Sequence, residues 1–133
     1  VLDQLVAARL LADVDAIGTA RRAELAAARD RLLALVGATF PQWRPSRPRG
    51  GLSLWIDLGA PVSSRLAGLA RRHDVLLVAG PRFGLDGAFE RHLRLPYTLR
   101  RDQVEPALSR VAAAWEALDL GVSVPDPDPI AVA

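Results

Sequence analysis

The 133-residue chain contains no cysteine, no methionine and no lysine. Without cysteine there is no disulfide framework and no thiolate metal site. Without lysine, all seventeen basic residues are arginine. The pI of 10.3 therefore reflects arginine's very high pKa, while the formal net charge is only +2. No apolar run approaches the roughly 18 to 20 residues needed to cross a bilayer. The N-terminus also lacks the charged, apolar, small-residue order of a signal peptide. Together these absences predict a cytoplasmic protein that makes no membrane contact.

Charge of one sign is not concentrated anywhere a nucleic acid would need it. A nucleic-acid binder gathers positive charge on one face, whereas acids and arginines are interspersed here. The exception is Arg44, Arg47 and Arg49, in a Pro-rich stretch that reads as a solvated or interdomain loop. Direct contact with nucleic acid is therefore not expected. Half of the residues are hydrophobic and about a quarter are charged, as in an ordinary soluble domain with one modest core.

Periodicity supplies the elements. Leu2, Leu5, Val6, Leu10 and Val14 fall on one helical stripe, which Gly18-Thr19 is expected to interrupt. Leu25, Leu32 and Val36 continue an apolar face to a stop at Gly37. The segment from Phe40 to Gly51, with Pro41, Pro45 and Pro48, reads as extended loop. Leu52, Leu54, Ile56 and Leu58 then alternate with Ser53, Trp55 and Asp57, a period-two strand with one apolar face. Ser63 or Ser64 is expected to cap a helix carrying Leu66, Leu69 and Ala70. Val75 to Val78 reads as a short buried strand, and Leu93 to Tyr97 as another. Val104, Leu108, Val111, Trp115 and Leu118 make the last helical stripe.

The simplest packing of this order is an α+β fold, with helices covering one face of a small, mainly antiparallel sheet. A domain over 1–120 and a mobile Pro/Asp-rich tail over 121–133 are expected. The chain opens on Val1-Leu2-Asp3-Gln4-Leu5, which reads as the interior of a helix and predicts a segment of a longer protein.

Conventional catalytic sets are missing from the pattern. His73 and His92 are the only histidines, and neither stands in metal-ligand spacing or beside a serine nucleophile. Gly80-Pro81-Arg82-Phe83-Gly84 lacks the strand-loop-helix setting of a phosphate loop. No catalytic and no metal residue is assigned. One residue is singled out by alternation: if Leu93 and Leu95 face the core, Arg94 points away from it. A guanidinium there is suited to grip a carboxylate bidentately. The plainer alternative is a strand arginine paired with Asp57 or Glu90.

Six segments in order carry a resemblance. They are Asp3 to Ala8, Arg29-Asp30-Arg31-Leu32, Pro41-Gln42-Trp43, Gly50 to Trp55, Val78 to Phe83, and Leu93 to Tyr97. Together they resemble the C-terminal small domain of fold-type-I aminotransferases. They are most similar to the aminotransferase-like half of MocR-type GntR-family transcriptional regulators. The chain departs from that pattern at Asp74, where glycine is commoner, and at Arg100-Arg101, where a proline-acid start to the last helix is more usual.

The resemblance implies a role for Arg94 as the group that holds the ligand's α-carboxylate. It implies pyridoxal 5'-phosphate as the cofactor of a full-length parent, held on a lysine that this chain lacks. It further implies partners outside the chain: a large cofactor-bearing domain, a DNA-binding domain, a second copy in a homodimer, and an amino acid or amine effector. The expected function is effector sensing. The rivals are the small domain of a true aminotransferase, which uses Arg94 in the same way, and a stand-alone interaction domain.

Overall fold

The structure, a computed structural model, describes residues 2–119; the expected tail at 121–133 lies outside the described residues. Two helices come first, α1 over Leu2–Ala12 and α2 over Val14–Thr39. Strands β1 (Arg44–Pro45) and β2 (Ser53–Asp57) follow, then α3 (Ser63–Arg71) and β3 (Val78–Ala79). A short 3-10 helix, Gly80–Phe83, leads toward β4 (His92–Pro96), and α4 (Arg101–Asp119) closes the described chain. The four strands form one antiparallel sheet in the order β1-β2-β4-β3. This is the expected α+β class.

The core lies on one face of that sheet. Leu54, Ile56, Leu93 and Leu95 point into it, because alternate residues of a strand share a face. Leu32 and Val36 of α2, Leu66, Leu69 and Ala70 of α3, and Val104, Leu108, Val111, Ala114 and Leu118 of α4 pack over them. Where α2 meets α4, Phe40 stacks on Trp43 with ring centroids 3.8 Å apart, and Trp43 meets Trp115 edge-on at 5.2 Å. Such aromatic pairs add about 0.5 to 1.5 kcal/mol beyond their area.

Several boundaries differ from the sequence reading. The break between the first two helices falls at Asp13, not at Gly18-Thr19. Thr19 sits inside α2, where its hydroxyl donates to the Asp15 carbonyl at 2.7 Å. Gly37 does not stop α2, which runs on to Thr39, with the Phe40 N–H bonded to the Val36 carbonyl. The stripe from Leu2 to Val14 is exposed throughout, since nothing in the described residues lies beneath it.

The strand expected at Val75 to Val78 shrinks to Val78–Ala79, and only Ala79 of that pair is buried. It is an edge strand, bonded on one side to β4. The Pro-rich loop hides a second edge, because Arg44 and Pro45 pair with Asp57 and Ile56. Leu52, expected on the apolar face, precedes β2 and is exposed. Neither serine caps α3 through its side chain. Glu90, in the loop just before β4, does so, accepting the Ser64 N–H and hydroxyl, each at 2.8 Å.

Candidate carboxylate-binding face

The outer face of the sheet carries the residues that alternate with the core. In register, Ser53 lies opposite Pro96, Trp55 opposite Arg94, and Asp57 opposite His92. Arg94 is also paired with Val78 across β3. It is exposed, between buried Leu93 and Leu95, so its side chain leaves the sheet on the side away from the helices.

Two neighbours hold that side chain. The Arg94 Nε–H donates to Ser53 Oγ at 2.8 Å. The guanidinium carbon lies 5.2 Å from the centroid of the Phe83 ring, a cation–π distance. Phe83 in turn meets Trp55 edge-on at 5.7 Å. Phe89 meets the same indole at 5.6 Å, and the His92 ring stacks on it at 5.2 Å and 10°. Arg94 thus stands at the margin of an aromatic group centred on Trp55.

The loop that delivers Phe83 and Phe89 is closely fitted. A Cβ on Gly80 would come within 2.0 Å of the Phe89 carbonyl oxygen, so only glycine is accommodated. Phe89 itself holds φ 66, in the left-handed region that costs a bulky residue energy. Its carbonyl accepts the His92 N–H at 2.8 Å, tying the loop to the start of β4. Asp74, which stands where glycine is commoner, takes the same region at φ 57.

Neither acid considered as a partner for Arg94 engages it. Asp57 accepts the Gly59 N–H at 2.8 Å and lies 3.7 Å from Arg91. These contacts, the Gly59 bond foremost, hold its carboxyl below the usual aspartate value. Glu90 is occupied at the start of α3. Among the described residues, Arg94 forms no ion pair, and its two terminal nitrogens have no hydrogen-bond partner. What the arrangement offers is a guanidinium steadied at Nε, with its far edge open.

Ser53 and Phe83 were not picked out by the sequence reading. Ser53 had a legible signal, as the polar position of a strand whose alternate residues are apolar. Phe83 had none, because its approach to Arg94 depends on how the Gly80–Phe83 turn folds back over the sheet. Of the arginines in the Pro-rich stretch, Arg44 lies in β1 opposite Asp57, on the outer face but at the edge strand away from Arg94, and Arg47 and Arg49 lie in the loop that follows. Arg29 of α2 donates to the Pro48 carbonyl at 3.1 Å and pins the loop to the helix.

The chemistry needed to hold pyridoxal phosphate covalently does not fit this chain, which has no lysine amine to offer. Among the described residues no cluster of three or more His, Asp or Glu is placed to hold a metal. No described helix is long and apolar enough to cross a membrane.

No family model and no curated protein matches the chain. Solved structures do. The chain is similar to LysN, an α-aminoadipate aminotransferase from Thermus thermophilus complexed with N-(5'-phosphopyridoxyl)-L-leucine. The TM-score is 0.78 at 26% identity, covering 89% of this chain and 31% of that one. An aspartate transaminase from Corynebacterium glutamicum is similar with a TM-score of 0.61 at 26% identity, covering 69% and 23%. The chain thus spans under a third of the length of the enzymes it resembles, and over that span it has the α+β fold of an aminotransferase small domain.

Proposed function

We propose that this chain supplies the carboxylate-binding wall of an amino-acid effector site in a longer, pyridoxal-phosphate-dependent, aminotransferase-like protein. Arg94 is the gripping residue. The observation that carries this is its guanidinium, anchored at one nitrogen and uncommitted at the other two. A carboxylate meets such an edge with two parallel charge-assisted hydrogen bonds. The cofactor supplies the carbonyl chemistry that captures an amine, and it sits on residues outside this chain.

The finer reading is a transcriptional regulator of the GntR/MocR type. There, ligand capture changes how this domain packs on the rest of a homodimer, and that movement reaches DNA-binding heads. The sequence resemblance supports this reading. The likeness to solved aminotransferases supports a second one, in which the same domain positions substrate for amino-group transfer. The two separate on one measurement: in the regulator an amino acid alters DNA affinity, while in the enzyme it yields its keto acid.

The test of Arg94 is a calorimetric titration of the longer protein with an L-amino acid and with the amine that lacks its carboxylate. Arg94→Ala removes two charge-assisted bonds, so amino-acid affinity falls by roughly a hundredfold or more. Affinity for the amine stays unchanged. Arg94→Lys restores little, because a point charge does not reproduce the planar fork. Unchanged amino-acid affinity would return Arg94 to a purely structural role, and equal losses for both ligands would indicate damage to β4.

A further inference from the structure

We infer that Ser53 is the positioning residue for Arg94, and that it selects which edge of the guanidinium meets a ligand. The inference rests on the reading of Arg94 as a carboxylate grip and adds the geometry of that grip. A guanidinium can meet a carboxylate side-on, through Nε and one terminal nitrogen, or end-on, through both terminal nitrogens. Ser53 Oγ already accepts the Nε–H at 2.8 Å. The side-on mode is therefore closed, and the end-on edge is the one presented.

The sheet makes this arrangement reproducible. Ser53 and Arg94 lie on adjacent antiparallel strands, with Ser53 opposite Pro96 and Trp55 opposite Arg94. Ser53 is thus the diagonal neighbour of Arg94 on the same face, within reach of a long side chain. Phe83 limits the guanidinium from another side, with its ring centroid 5.2 Å from the guanidinium carbon. A hydroxyl at Nε and a ring beside the guanidinium carbon restrain the side chain at two separate points. An exposed arginine otherwise loses considerable rotamer freedom when it binds. Here part of that ordering precedes the ligand.

Ser53→Thr and Ser53→Val test the idea as a matched pair. The two replacements have similar shape and β-branching, which strands favour, and they differ in the hydroxyl. The measurement is nitrogen-15 NMR of the arginine side chains in the 133-residue chain, with Arg94 identified by the signals missing from Arg94→Lys. In the parent sequence and in Ser53→Thr, the Arg94 Nε–H exchanges slowly, and added sodium acetate moves the terminal nitrogens while leaving Nε in place. In Ser53→Val, Nε–H exchange rises roughly tenfold or more, as expected for a proton that has lost its acceptor, and acetate now moves Nε as well. If Ser53→Val does not fold, Ser53→Ala takes its place in the comparison.

An Nε–H unaffected by loss of the hydroxyl would overturn the inference, as would acetate moving Nε in the parent sequence or moving no Arg94 resonance at all. The exchange measurement needs no ligand. Its failure therefore sinks the Ser53 assignment alone, whereas the calorimetry of Arg94→Ala decides the grip itself.

Discussion

At the scale of single residues, Asp57 shows how the outer face is tied together. Its carboxylate receives the Gly59 N–H in the turn after β2 and lies near Arg91, and both contacts favour the charged form. Its pKa is lowered in the folded chain, so its contribution to stability is full above the ordinary aspartate value. That contribution is lost as pH falls through the lowered one. Asp57→Asn keeps an oxygen to accept the Gly59 N–H but removes the titration. The variant's denaturation midpoint should therefore change less than the parent's between neutral pH and strongly acidic pH. Equal acid dependence in the two proteins would show that Asp57 is not the group responsible. The position of Arg94 was legible from its own sequence, because two leucines flanking a charged residue in a strand leave it one direction to point. Its anchor was not, because the Ser53 contact crosses 41 positions of chain and depends on strand register.

At the scale of elements, strands with one buried face could be read directly. β2 and β4 carry Leu54, Ile56, Leu93 and Leu95 in strict alternation, and burial follows it. β1 and β3 have two residues each, too few for any period to appear, and exist because β2 and β4 offer them a ladder. The helix boundary moved for a related reason. No residue around Gly18 packs against a core, so nothing tertiary enforces a break there, and one glycine costs a helix only about 1 kcal/mol. α3 begins at Ser63, as expected, but its cap comes from Glu90, far along the chain, and not from either serine. That carboxylate satisfies the Ser64 N–H and favours the positive end of the helix. Glu90→Ala should therefore lower stability by about 1 kcal/mol in urea unfolding. Glu105→Ala, at an exposed position of α4, should stay within about 0.5 kcal/mol of the parent. Equal effects from the two would argue against a specific cap.

At the scale of the whole molecule, the core is concentrated under the sheet and the N-terminal helices extend past it. Leu2, Leu5, Leu10 and Leu11 of α1 are each more than half exposed, and no residue of that helix is buried. Apolar surface of this kind tends to find a partner. The isolated chain should therefore form dimers or larger species at high concentration in sedimentation, and Leu5→Asp with Leu10→Asp should shift it toward monomer. A strict monomer at every accessible concentration would contradict this.

The two-residue rims of the sheet decide what kind of assembly that becomes. A long open row of backbone donors and acceptors acts as a template on which strand after strand can add, ending in fibrous deposit. Here one rim ends at Pro45, which has no N–H to lend, and the other amounts to Val78 and Ala79. Growth by strand addition finds almost nothing to copy. Crowded copies of this chain are left to meet through their helices, in contacts that dilution can undo.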